Sequence, residues 1–377
     1  MRRVKIAAEA ADKTSERGVI DGLAGGPEER AEFGASLLSW AREHGRTGLP
    51  WQVTDSYAVW VSEVMLQQTQ VETVKTYFGR FMASFPTVQA LAAAAEDDVL
   101  AAWAGLGYYR RAKFLHKAAR QVVSSGLAQL PGSAKELMEL PGIGRSTAAA
   151  IASIAHGEPV AIMDGNVIRV LARRWGEAGD VQLSSTQARL WQAAEALVVK
   201  DDPGFYTQSI MDLGATVCTP KAPNCGGCPL SKKCKALASG DPERFPHKPR
   251  KQKERRVELE CWEVLTDGVD VCMVKNEGKS GVWQSMLIFP SCAHIKWERP
   301  LNKVKSWSFK HVFSHYDLHA EVEVCLMSKE CLAYWADREG WSTFKPKAAM
   351  SMAVPKPIKD ILAVLESMQG EKSEAIS

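Results

Sequence analysis

Two acidic residues, Glu63 and Asp164, could carry acid–base chemistry. Glu63 lies in YAVWVSEVMLQQ, with apolar residues at 57, 60, 61, 64 and 65 and with Val59 and Leu66 beside them. A helix here carries Glu63 along a wide buried stripe. An ionised carboxylate in that setting is expensive to desolvate unless paired. A raised pKa relieves the cost, and a carboxylic acid kept protonated near neutral pH suits a general acid. A Glu on the helix edge, paired with a surface Arg, is the plainer alternative. Asp164, in IMDGNV, stands at the start of another helix, where an Asp also serves simply as an N-cap.

Three further stretches have the residue types for binding. In LPGIGRSTAAAI (140–151), Gly142 and Gly144 are free to take positive φ and turn the chain tightly. A helix from about Arg145 then adds unpaired N–H donors and a positive dipole end, a combination that grips an anion. Between two helices this is the helix-hairpin-helix pattern, in which the anion is a DNA phosphate; a connection with no ligand fits the same letters. QQTQ (67–70) follows the apolar helix, with side chains that could wedge into a base stack or lie on a surface. GLGYY (105–109) offers Tyr108 and Tyr109 for stacking on bases or for core packing.

The sulfur chemistry is concentrated. Of nine cysteines, Cys218, Cys225, Cys228 and Cys234 form C-x6-C-x2-C-x5-C, and the other five are scattered through 261–331. This is no secreted disulfide framework and implies a reducing compartment. Four thiolates in one short loop need a cation, and a tetrahedral sulfur set favours zinc or an iron–sulfur cluster. Lys221, Lys232, Lys233 and Lys235 around the loop could meet phosphates.

The elements that must position these residues are helical in the first half. Apolar spacing predicts helices over 28–45, 57–69 and 71–85, two short ones up to the glycine stop at 105, then 109–124, 133–139, 145–156, 165–175, 185–199 and 203–216. At 377 residues and 46% apolar content, the chain is long enough for two or three domains. No run of 18 apolar residues predicts a membrane span. A net charge of +3 does not by itself imply a polyanion partner, but 244–256 (RFPHKPRKQKERR) is strongly basic. This Pro-rich, charged stretch reads as a linker. Beyond it the period shifts to two: RVELECWEVLTDGVDVCMVKN predicts a hairpin around Asp267-Gly268, HYDLHAEVEVCLM a further strand, and PKPIKDILAVLESM a closing helix. The domain expectations are a disordered tail at 1–27, a helical region at 28–236, a basic linker at 237–256, a small α+β domain at 257–367 and a tail at 368–377.

Taken together, LPWQ (49–52), WVSEVMLQQTQV (60–71), GLGYYRRAKFLHKAA (105–119), LPGIGRSTAAAI, MDGNVIRVLAR (163–173), MDLGATVC (211–218) and the cysteine loop resemble the MutY-type adenine DNA glycosylases of the endonuclease III superfamily. The match runs from about 30 to 236 and continues more weakly to about 365. It implies a mainly α helix-hairpin-helix glycosylase region, with a six-helix part at about 55–160 and a cluster part at 28–54 with 161–236. It also implies a small Nudix-like lesion-recognition domain. The expected activity is base excision of adenine paired with 8-oxoguanine or guanine in double-stranded DNA, by a monomer holding a [4Fe–4S] cluster on the four cysteines. The expected compartment is the bacterial cytoplasm and nucleoid, or the nucleus in a eukaryote.

By the same resemblance, Glu63 is the acid, Asp164 the ionised partner at C1′ and Asn166 its orienting neighbour. Trp51, Leu66 and Gln208 match adenine-pocket positions, and Gln68 and Tyr108 positions that enter the duplex. Gly142, Gly144 and Arg145 match phosphate contacts, and Phe313, Ser314 and His315 the loop that inspects 8-oxoguanine. Strand-cleaving relatives carry a Lys where this chain has Ser146, and Ser forms no Schiff base, so no intrinsic lyase step is expected. Departures are Thr207 in place of an Asn on the pocket wall, an altered GVWQSMLIFP, a trimmed stretch between Pro290 and His311, and no acidic Nudix box, so pyrophosphate hydrolysis is not expected. Competing readings are an endonuclease III-like enzyme for damaged pyrimidines and a non-catalytic iron–sulfur DNA-binding protein.

Overall fold

The structure, a computed structural model, describes residues 24–249, 255–277, 283–291, 301–313 and 316–374. The probe-loop residues Ser314 and His315 lie outside these, as does most of the N-terminal stretch read as a tail. The chain divides into two compact units. Among the described residues, one takes 24–82, 87–89 and 118–249, and the other takes 83–86, 90–117 and the residues from 255 on. No described helix is long and apolar enough to cross a membrane.

Helices follow in the order α1 (Pro27–His44), α2 (Ser56–Leu66), α3 (Val71–Ser84), α4 (Val88–Ala93), α5 (Glu96–Trp103), α6 (Arg110–Ser124), α7 (Ala134–Leu137), α8 (Arg145–His156), α9 (Gly165–Trp175), α10 (Ser184–Ala196), α11 (Pro203–Thr216) and α12 (Lys235–Ala238). In the first unit, α2 and α11 both pack on α8, whose run of alanines permits close approach. A second core joins α1, α9, α10 and α11 through Phe33, Leu37, Leu171, Trp175, Leu190 and Leu213. The hairpin between α7 and α8 forms as expected. Ser133 caps α7 and bonds reciprocally with Glu136. Gly142 supplies the left-handed turn at φ 80°, whereas Gly144 is extended (φ −87°) and serves as the N-cap of α8.

The stretch read as a free linker is docked along its first half. Within the first unit, Arg173 Nε donates to the Phe245 carbonyl (3.0 Å), the Val181 N–H to the His247 carbonyl (3.2 Å), and the Ala222 N–H to Glu243 (2.8 Å). Its composition is that of a spacer, but the buried Arg173 and the Val181 N–H bind its backbone.

The second unit is built on a mixed sheet of β1 (Arg256–Thr266), β2 (Val271–Lys275), β3 (Leu287–Ile288), β4 (Asn302–Val312), β5 (Tyr316–Leu326) and β6 (Ser342–Phe344), with α13 (Lys329–Glu339), α14 (Pro346–Met350) and α15 (Lys356–Glu374). The strand order is β3-β2-β1-β5-β4, with β6 also on β2; β1 and β5 run parallel, Trp262 opposite Val322. The hairpin at Asp267-Gly268 is present, with Asp267 accepting from the N–H groups of Val269 and Asp270. Strand alternation splits the core: Val264, Val322 and Val324 meet Ile358, Ile361 and Leu362 of α15, while Leu265 and Cys325 meet Leu332 and Ala336 of α13. The closing helix runs to Glu374, past the boundary expected at 367. Residues 90–117, expected with the helical region, group with this unit, where Lys275 pairs with Asp97 (2.7 Å) and Lys113 Nζ bonds Ser285 Oγ (2.6 Å).

Candidate active site

A cleft of about 760 Å³ opens in the first unit. Asp55 starts one wall by capping α2, its carboxylate accepting from the N–H groups of Tyr57 and Ala58. This helix is buried along most of its length because nearly every position is apolar or small. Val59, Ser62, Glu63 and Leu66 are the positions of this helix that line the cleft. The opposite wall comes from the start of α9, where Asp164 is the N-cap. Trp51, Gln68, Ser146, Asn166 and Gln208 also line the cleft, so it gathers eight of the expected site residues from five separate stretches of chain. Tyr108 and Phe313 belong to the other unit. Tyr108 is exposed and held at φ 49°, and Phe313 stacks on Tyr316 with ring centres 4.5 Å apart.

The two acids have unlike surroundings. No described group donates a hydrogen bond to Glu63. Burial, reinforced by the charge of Asp164 and opposed by Arg46, pushes its pKa up to about 7. Burial also raises Asp164, but its oxygens are well supplied with donors. Oδ1 accepts from the N–H groups of Asn166 (2.9 Å) and Val167 (2.8 Å), and Oδ2 from Asn166 Nδ2 (3.0 Å). Hydrogen bonds to the ionised form favour it, so these donors oppose the upward push of burial at Asp164, whereas no described donor does so at Glu63.

Asn166 is itself fixed. Its Oδ1 accepts from Arg169 Nη2 (2.8 Å), and Arg169 donates further to the carbonyls of Gly214 (2.6 Å) and Cys218 (2.6 Å). Gly214 is needed by close approach: a Cβ there would stand 2.6 Å from Asn166 Cβ. On the other side, Arg46 clasps the buried Asp212 through its Nε (2.6 Å) and backbone N–H (2.9 Å). Sequence reading missed Arg169, Gly214, Arg46 and Asp212. The signal was present in part, since MDLG and MDGNVIR are among the stretches that carry the resemblance.

Ser146 lies in the cleft, and the N-cap of α8, Gly144, makes no side-chain bond. Two expectations change at the level of individual side chains. The Arg145 guanidinium is taken by Glu195 and stacked over Trp191 (3.8 Å), leaving its backbone N–H to face an anion. Thr207 is fully buried and accepts from Ser153 of α8 (3.0 Å), so it stands behind the pocket wall and not on it.

The cysteine loop follows α11 as two short 3₁₀ turns, Cys225–Gly227 and Ser231–Lys233. Among the described residues no three His, Cys, Asp or Glu side chains form a ready metal cage. The four thiols are nevertheless close enough to act on one another. Cys228 is pushed up to about 11, by burial and by Cys218, Cys234 and Cys225. Arg173 reaches the loop with Nη1 at 3.4 Å from Cys218 Sγ and 2.7 Å from the Thr219 carbonyl. A thiolate set with this mutual repulsion suits a cationic centre. Of the lysines around it, Lys233 is paired with Glu32.

A helix-hairpin-helix beside a cleft that holds two buried carboxyls in unlike surroundings fits a DNA N-glycosylase of the base-excision type, and the comparisons with known proteins agree. The pattern of the HhH-GPD superfamily of base excision DNA repair proteins matches residues 61–196. An adenine DNA glycosylase of Buchnera aphidicola subsp. Schizaphis graminum is 33% identical over 346 residues, 89% of this chain and 99% of that protein. Human adenine DNA glycosylase is 46% identical over 218 residues, 55% of this chain and 40% of its own length. The structure of a thermostable thymine-DNA glycosylase matches 56% of this chain and 97% of its own, with 26% identity and a TM-score of 0.51. The chain belongs to the adenine DNA glycosylase family.

Proposed function

We propose that this chain releases adenine mispaired with 8-oxoguanine or guanine in duplex DNA, hydrolysing the N-glycosidic bond and leaving the strand intact. The observation that carries the reading is the asymmetry of the acids: among the described residues Glu63 has no hydrogen-bond donor, and its pKa lies near neutrality, while three donors favour the ionised form of Asp164. An everted adenine, which costs a few kcal/mol to unstack and less at a mispair, brings its N7 to Glu63. Glu63 gives up its proton there, the C1′–N9 pair leaves with the base as neutral adenine, and positive charge develops on the sugar. Asp164 faces C1′ and stabilises that charge, as one carboxylate does in retaining glycosidases. Water adds at C1′ and its proton passes to a carboxylate, which closes the cycle with an abasic site.

Ser146 supports the monofunctional form of the reaction, since no amine occupies its position in the cleft. Gly142, Gly144 and the backbone of Arg145 would hold a phosphate, Gln68 and Tyr108 would enter the duplex, and Phe313, Ser314 and His315 would read the opposite base. Cys218, Cys225, Cys228 and Cys234 would hold a [4Fe–4S] cluster, which when bound supplies a redox-active centre that offsets the thiolate charges and closes the loop.

The test is a duplex with a single adenine opposite 8-oxoguanine. Strand breaks should appear only after alkali treatment. Breaks without alkali would return the endonuclease III-like reading, and tight binding without base release the non-catalytic one.

A further inference from the structure

We infer that Lys248 is a phosphate clamp for the strand carrying the everted nucleotide, an inference that rests on the proposed function. The cleft that must receive this nucleotide is lined by three acids, Glu63, Asp164 and Asp212, and by three cations, Arg46, Arg169 and Lys248. Two of the cations are committed. Arg46 is bound to Asp212, and Arg169 to Asn166, Gly214 and Cys218. Lys248 is exposed at the rim and makes no hydrogen bond or ion pair with any described residue. A DNA strand entering here brings a negative charge on each side of the everted sugar, against walls that already hold carboxylates. An unpaired ammonium at the mouth is the group that offsets it.

The position is built, not incidental. The residues just before Lys248 are held to the first unit at three points: Glu243 to the Ala222 N–H, Phe245 to Arg173, and His247 to the Val181 N–H. Arg173 is buried and also grips Cys218, Thr219 and Pro220, so the segment leaves the body of the unit from a fixed point. The lysine is thus delivered to the cleft by backbone contacts, while its flexible stem lets the ammonium follow a phosphate.

The test uses the full chain and a duplex in which the target is 2′-fluoro-adenosine opposite guanine, which resists cleavage and permits equilibrium binding. Lys248→Ala should lower the slope of log K against log [salt] by about 0.9, the value of one phosphate contact on duplex DNA. Between 50 and 200 mM salt the wild type then loses about 3.5-fold more affinity than the variant. Lys248→Arg should restore the slope. A neutral methylphosphonate beside the target nucleotide should weaken the wild type and leave Lys248→Ala unaffected; the same linkage on the opposite strand should weaken both equally. An unchanged slope, or equal losses for both proteins with the target-strand linkage, overturns the clamp. If the wild type neither binds this duplex nor removes adenine from the cleavable one, the proposed function itself has failed. Normal binding and turnover with an indifferent Lys248→Ala removes only the clamp.

Discussion

Replacing Glu63 by Gln tests the central claim twice, through rate and through stability. With a pKa of about 7, Glu63 is about half protonated at pH 7 and about one-tenth protonated at pH 8. If the protonated form is the acid, single-turnover base release in the wild type falls about tenfold per pH unit above neutrality. The Gln variant, which cannot donate, loses on the order of 10²–10⁴-fold and its residual rate no longer follows that titration. The stability effect has the opposite sense. A rise from an ordinary 4.5 to about 7 means that the folded chain binds a proton the unfolded chain has released between those values. Wild-type stability therefore declines as pH rises through that window, by ~3 kcal/mol at about 1.4 kcal/mol per pH unit. Gln has no proton to lose, so the variant should match the wild type near pH 4 and exceed it by roughly that amount at pH 8. Denaturant unfolding of the first unit, followed at both pH values, measures the difference. A rate that stays level from pH 6 to 8.5, or a stability difference independent of pH, refutes the assignment of Glu63 as a buried, protonated acid.

Gly214→Ala should push Asn166 out of place and lower the single-turnover rate while mispair binding stays near wild type, because the added Cβ meets Asn166 at 2.6 Å. Asp164→Asn should abolish base release but keep α9 capped, whereas Asp164→Ala should lose both activity and about 1 kcal/mol of stability, read from denaturation midpoints. Protein purified without air should carry iron and acid-labile sulfide, and Cys228→Ser should lower both; one zinc and no iron would contradict the cluster.

Glu63 stood out because it interrupts an apolar stripe, whereas Asp164 sits where an N-cap is ordinary and was singled out with the help of the resemblance. The cysteine loop stood out because its four cysteines are near in sequence. The supporting contacts did not. Arg46 and Asp212 are separated by 166 positions, and Arg169 meets Cys218 across 49, distances over which a single sequence carries no pairing signal. The segment at 237–249 misled for the opposite reason. Proline and charge describe how a chain behaves when nothing holds it, and here Arg173 and Val181 hold it. The strands of the second unit were visible from their period-two pattern, but not that residues 90–117 would group with them through pairs such as Lys275–Asp97.

The double employment of Asp164 has a wider consequence. The carboxylate that would face a cationic sugar is the same one whose Oδ1 satisfies the opening turn of α9 and whose Oδ2 accepts from the Asn166 side chain. Its aim is therefore set when the helix folds, with no rearrangement left for the moment of reaction. It also means that thermal fraying of that one turn should silence the enzyme well below the temperature at which the rest of the domain melts.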